Sequence, residues 1–102
     1  MTKKSQRVKR RYILFEVIGE ERFKREEIVK AIWNSCLEFL GDLGASQTSL
    51  WVHEYENEEG IVSCNTHSVD RIIVCLSLVR EIENKRIGIR VKGVSGTIKG
   101  LR

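Results

Sequence analysis

The segment from Lys85 to Lys92, Lys-Arg-Ile-Gly-Ile-Arg-Val-Lys, constrains the fold more than any other part of the chain. Its residues alternate with period two, so a strand would aim Ile87, Ile89 and Val91 at one face and Arg86, Arg90 and Lys92 at the other. The pattern predicts a sheet with a packed face and a cationic face. Folding gives no reason for three unpaired cations on the free face, whereas a phosphate backbone does, which makes nucleic acid the first candidate partner.

Upstream, Tyr12 to Ile18 reads as a strand that Gly19-Glu20-Glu21 breaks. From about Lys24 to Leu40, Ile28, Ala31, Ile32, Phe39 and Leu40 follow helical spacing, and Gly41 and Gly44 supply the stop. Leu50 to Glu56 and Ile61 to Thr66 read as strands joined by a turn at Asn57-Glu58-Glu59-Gly60. Ser68 is placed to cap a second helix with Asp70 in its first turn, and Val69, Ile72, Ile73, Leu76, Val79 and Ile82 form its buried stripe. The order βαββαβ predicts an α+β, ferredoxin-like sandwich: a four-stranded antiparallel sheet with two helices on one face. In that topology the first and last strands are antiparallel neighbours. The two chain ends should then converge, and the acidic second strand should lie at the opposite edge, polarising the domain from edge to edge.

At 102 residues the chain makes one domain. The division expected is a basic arm over 1–10 and a single domain over 11–102 that includes a short basic tail. Residues 1–11 carry six basic side chains and no acid, and so do residues 85–102; the middle holds six basic against 14 acidic residues, a net −8. Such asymmetry points to nucleic acid, with a solvated tail as the plainer account of the arm. No apolar run approaches the roughly 20 residues of a membrane span, and the basic start lacks a secretory apolar stretch, so a cytoplasmic location is expected. Cys36, Cys64 and Cys75 are too scattered for a disulfide framework and read as buried thiols.

No catalytic constellation stands out. Cys64 and His67 lie three apart, but His53, Cys36 and Cys75 fall on other elements, leaving no set of zinc ligands and no Cys-His nucleophile. Glu54, Glu56, Glu58 and Glu59 read as a solvated charge run rather than a magnesium site. The expectation is no catalytic residue and no metal. Strand three offers no aromatic side chain, so RNA should be gripped through phosphates and shape, with bases read little or not at all. Trp51, His53 and Tyr55 should share one face of their strand. Either loops or the tail cover that face, or Trp51 and Tyr55 anchor a protein interface.

Together, Arg10-Arg11-Tyr12-Ile13-Leu14-Phe15, Leu40-Gly41-Asp42-Leu43-Gly44, Gly60-Ile61-Val62 with Cys64, Ser68-Val69-Asp70-Arg71, Val79-Arg80-Glu81-Ile82 and the Gly93 to Ile98 run resemble the archaeal ribonuclease P protein component 2 family and its eukaryotic nuclear counterparts. The resemblance implies a non-catalytic subunit of the ribonucleoprotein that removes the 5′ leader of precursor tRNA. It implies that the active site, with its magnesium, belongs to the catalytic RNA, which the protein would bind and hold in its active fold. The phosphate-binding candidates are Lys4, Arg7, Lys9, Arg10 and Arg11 in the arm, with Arg86, Arg90, Lys92 and Lys99 at the last strand and tail. It also implies partnership with the TIM-barrel-like component 3, as a heterotetramer, and with other ribonuclease P proteins. The alternatives are a ribosome-associated RNA-binding accessory protein of the same fold, and a ligand-sensing regulatory domain with a basic tail.

Overall fold

A computed structural model describes residues 9–102. The strands are β1 (Arg10–Gly19), β2 (Trp51–Glu56), β3 (Glu59–Asn65), β4 (Glu81–Ile82) and β5 (Lys85–Ser95), with helices α1 (Arg25–Ser46) and α2 (Val69–Ser77). They form one antiparallel sheet in the order β2-β3-β1-β5-β4. This is the ferredoxin-like α+β arrangement with one strand more than the four expected, and Arg10 belongs to β1 rather than to an arm. Its core lies between the helices and one sheet face, where Ile28, Ile32 and Cys36 of α1 and Ile72, Cys75 and Leu76 of α2 meet Ile13, Phe15 and Val17.

The additional strand comes from a segment expected to prolong α2. That helix ends at Ser77, five residues short of Ile82. Glu83 and Asn84, both with positive φ (51° and 69°), form a two-residue turn that pairs Ile82 with Lys85 and Glu81 with Arg86. Such a turn matches the twist of a hairpin, and the pairing satisfies backbone groups that a frayed helix end would leave open. The same device joins β2 to β3 through Asn57 and Glu58, with φ of 55° and 63°.

Helix α1 runs past its expected stop, but Gly41 interrupts it at φ 77° before it resumes towards Ser46. That left-handed conformation is cheap only for glycine. Beyond the kink the axis no longer follows the period set by Ile28 and Ile32. Phe39, which precedes the kink, is 49% exposed although the periodicity predicts it in the core, and it lines an open groove beside Leu78.

Two irregularities re-aim side chains on the sheet. On β2 the register slips between Val52 and Glu54, leaving His53 as an extra residue. On β5 it slips opposite Leu14 and Phe15, leaving Lys92 extra. Because a one-residue shift flips every following side chain, these bulges decide what the free face displays.

Candidate nucleic-acid interface

The face of the sheet away from the helices is organised in rows across β2, β3, β1 and β5. One row is Trp51, Ser63, Tyr12 and Ser95; the next is Glu54, Ile61, Leu14 and Gly93; the third is Glu56, Glu59, Glu16 and Arg90. Three carboxylates thus lie side by side in the third row. They draw in the cations of β5: Arg90 pairs with Glu16, and Lys92 pairs with Glu59, which raises the Lys92 pKa through that hydrogen bond and its charge. The expectation of three unpaired cations on β5 is therefore corrected for Arg90 and Lys92. Of the three, Arg86 alone makes no salt bridge among the described residues.

At the other end of the face the balance reverses. Arg10 stands opposite Asn65 on this face and Arg11 opposite Cys64 on the helix side, and neither these pairings nor the Trp51 row contains a carboxylate. The polarity consequently runs along the strands, not from edge to edge as expected, because Glu16 and Glu59 place acid on the two central strands. The convergence of the chain ends does occur: Tyr12 pairs with Ser95, and an added Cβ at Gly96 would lie 3.8 Å from an Arg11 guanidinium nitrogen. Lys9 and Lys99 are exposed in this region. Lys4 and Arg7 lie outside the described residues.

Arg10 is committed internally. Its guanidinium donates to Ser63 Oγ (3.1 Å from Nε) and to the Ser49 carbonyl. Ser63 Oγ, fully buried, also lies 2.7 Å from His53 Nε2, and the His53 ring packs on Tyr12 with centroids 5.3 Å apart. Beside them Trp51 is 62% exposed. The aromatic surface that strand three could not supply is thus assembled from β1 and β2, which the strand order places on either side of Ser63. Sequence reasoning placed His53 on the Trp51 face without a role and missed Ser63; the signal was a small polar residue in the one strand separating two aromatic ones.

Tyr55 is not part of this surface. It pairs with Gly60, as Phe15 does, and its ring stacks on Phe15 at 6.3 Å on the helix side. The expected grouping of Trp51 with Tyr55 fails because the extra residue at His53 reverses the alternation. Burial raises the Tyr55 pKa, and its hydroxyl has no hydrogen-bond partner among the described residues.

The tail covers the middle row. After β5 the chain forms a short 3-10 turn over Lys99–Leu101. Leu101 Cδ2 lies 3.6 Å from where a Gly93 Cβ would sit, and Arg102 contacts both Glu54 oxygens at 2.6 Å. Ile61, between them in the row, is only 2% exposed although it lies outside the helix-side core. Loss of water from Ile61 thus marks the tail as a lid on this row.

Elsewhere the chemistry is quiet. Cys36, Cys64 and Cys75 are free and buried, and burial pushes all three thiols up, Cys64 to about 11. His67 is exposed while Cys64 faces the core, which separates that pair. Among the described residues no group of three or more His, Cys, Asp or Glu side chains is placed to share a metal ion. Among the described residues no helix is long and apolar enough to cross a membrane. On the helix side a groove of about 820 Å³ exposes Phe39 and Leu78 but also carries Glu27, Glu38, Glu81 and Glu83, a lining that repels phosphate.

Residues 11–102 match the model of the Rpp14/Pop5 family. The chain belongs to that family. It is 43% identical over 98 residues to ribonuclease P protein component 2 of Pyrococcus furiosus, covering 94% of this chain and 82% of the relative. The corresponding protein of Methanosarcina mazei is 39% identical over 95 residues, covering 93% and 82%. A chain in the cryo-EM structure of yeast ribonuclease MRP superposes with a TM-score of 0.64 at 8% identity, over 92% of this chain and 79% of that one. The superposition supports the fold of the Rpp14/Pop5 chain.

Proposed function

We propose that this Rpp14/Pop5 chain is a protein subunit of ribonuclease P, the ribonucleoprotein that removes the 5′ leader of precursor tRNA, and that it binds and stabilises the catalytic RNA. The family match across residues 11–102 carries the reading. Phosphate contacts would come from Arg86, from Lys9 and Lys99 where the chain ends converge, and from the arm cations Lys4 and Arg7. Arg90 and Lys92 would join them only by exchanging their glutamate partners for phosphate. The chemical step would belong to the RNA and its magnesium, and the protein would reduce repulsion between packed phosphates. Component 3 and other ribonuclease P proteins are the expected protein partners, with component 3 in a heterotetramer, and the cytoplasm is the expected location.

Reconstitution tests this directly. Precursor tRNA should be cut by catalytic RNA at a lower magnesium concentration when this chain and its partner proteins are present. The chain with magnesium but no RNA should leave the substrate intact. Cleavage by the protein alone, abolished by a change in its own side chains, would overturn the non-catalytic role. Recovery of ribosomal RNA in place of the ribonuclease P RNA on native purification would favour a ribosome-associated accessory protein.

A further inference from the structure

The Trp51 row contains a hydrogen-bond relay that ends in an unused donor. Arg10 can only donate, so Ser63 Oγ accepts from its guanidinium. The single Ser63 hydroxyl proton is then left to bond His53 Nε2 at 2.7 Å. Nε2 must accept, which places the imidazole proton on Nδ1. Desolvation and the Arg10 charge both lower the His53 pKa, consistent with a neutral ring. Among the described residues Nδ1 has no protein partner and is not one of the buried unsatisfied atoms, so with respect to them it faces outward.

A fixed N–H donor therefore stands on the same face and strand as the exposed Trp51 indole, beside Tyr12, at the end of the sheet that holds Arg10 and Arg11, while Glu54, the one carboxylate of the adjoining row, is paired with Arg102. We propose that Trp51, His53 and Tyr12 form a binding site for one unpaired nucleotide of RNA, its base stacked on Trp51 and accepting a hydrogen bond from His53 Nδ1–H. This rests on the RNA-binding reading above and deepens it. Every base has a π-face for the indole and at least one acceptor for Nδ1–H, whereas a paired base within a helix offers neither its faces nor a free edge. The cationic surroundings favour the phosphates of such a strand over an acidic or apolar protein surface. Contrary to the expectation from strand three, bases would be gripped, though by stacking rather than by sequence.

The test uses the full chain carrying Trp33→Phe, so that Trp51 is its one tryptophan and can be excited selectively at about 295 nm, titrated with a short single-stranded oligoribonucleotide of mixed sequence and with the same sequence as a duplex. The single strand should quench Trp51 and the duplex should not. Followed by the fluorescence anisotropy of a dye-labelled strand, which needs no indole, Trp51→Ala should weaken single-strand binding about tenfold or more, while Trp51→Phe retains most of it. The salt slope should not change, since stacking releases no counterions. Circular dichroism first establishes that each variant is folded, and Ser63→Ala, which frees His53 to reorient, provides a second variant expected to weaken binding.

Equal quenching by duplex, or unchanged affinity in both Trp51→Ala and Ser63→Ala, overturns the site. So does a loss confined to binding of a protein partner, which would make Trp51 a protein anchor. Failure of the wild-type chain to bind the catalytic RNA, with oligonucleotide quenching intact, would instead remove the ribonuclease P reading and leave the nucleotide site standing.

Discussion

Arg102 grips Glu54 through two contacts of 2.6 Å, tying the last residue of the chain to the edge strand β2 across the full width of the outer face. The pair is partly exposed, at 59% and 45%, so the ion pair itself contributes about 0–1 kcal/mol. Its larger effect is to hold Leu101 over Gly93 and so keep Ile61 dry.

Arg102→Ala should accordingly lower stability by less than about 1 kcal/mol, a difference that disappears at roughly 1 M salt, where exposed charges are screened. Leu101→Ala should cost about 1 kcal/mol at any salt concentration, because the loss is apolar. Urea denaturation of both variants at low and high salt separates the two contributions. Equal salt dependence in both would show that the strap is held by charge alone.

The cations of β5 should differ in their contribution to RNA affinity. Arg86→Ala should reduce the log–log salt slope of catalytic-RNA binding by roughly 0.7 to 0.9, the value of one phosphate contact. Arg90→Ala should change it less, because Arg90 is already partnered by Glu16. Glu16→Gln should release Arg90 and tighten binding, a gain that filter binding across a salt series would detect. Identical effects at positions 86 and 90 would mean that RNA displaces the glutamate entirely.

Much of this was legible in the sequence because it follows from period and punctuation. The apolar alternation of Ile13, Phe15 and Val17 and the stripe Ile28–Ile32 reach the structure intact, and the βαββαβ order does so with β4 added before the last strand. The misreadings have a single kind of cause, local backbone choices that a period does not encode. A single extra residue at His53 sends Tyr55 to the core, a two-residue turn at Glu83-Asn84 converts a helix end into β4, and Gly41 kinks α1 where the chain was expected to stop. The free-face chemistry was hidden for another reason. Pairing of Arg90 with Glu16, and of Ser63 with both Arg10 and His53, depends on strand order and register rather than on neighbours in the chain.

Acidification should destabilise the protein through His53. Its folded pKa lies below the ordinary histidine value of 6.5, since burial and Arg10 oppose the charged ring more than Glu54 favours it. A depressed histidine binds its proton more readily unfolded than folded, so nothing is lost above that value, and stability falls as the pH drops below it. Thermal unfolding between about pH 7 and about pH 5 should show this decline, reduced in His53→Gln. An unchanged slope in the variant would assign the acid sensitivity to other groups.

The three thiols should be silent in the native state. Each is buried with a raised pKa, so little thiolate exists to react. An alkylating reagent at about pH 8 should label none before denaturation and all three after it. Single Cys→Ala changes should cost about 1 kcal/mol or more without altering RNA affinity. Rapid native labelling at Cys36 or Cys75 would mean that α1 and α2 separate transiently.

Trp51 and Tyr55, close in sequence, should respond to mutation in opposite ways. Tyr55 stacks on Phe15 in the helix-side core, so Tyr55→Ala opens a cavity there and should cost about 3 kcal/mol or more. Its hydroxyl, however, is buried without a partner, and a group of that kind carries an uncompensated desolvation cost of about 1–3 kcal/mol. Tyr55→Phe keeps the ring and removes that cost, so the variant should be at least as stable as the wild type and more stable by up to about 1 kcal/mol. Trp51, 62% exposed on the other face, should cost less than about 1 kcal/mol on truncation to alanine. Denaturant midpoints of the three variants, with the slope m checked for constancy, give these differences directly. A destabilised Tyr55→Phe would reveal a water or backbone group satisfying the hydroxyl, and a strongly destabilised Trp51→Ala would place the indole in the fold's own packing instead of on a binding surface.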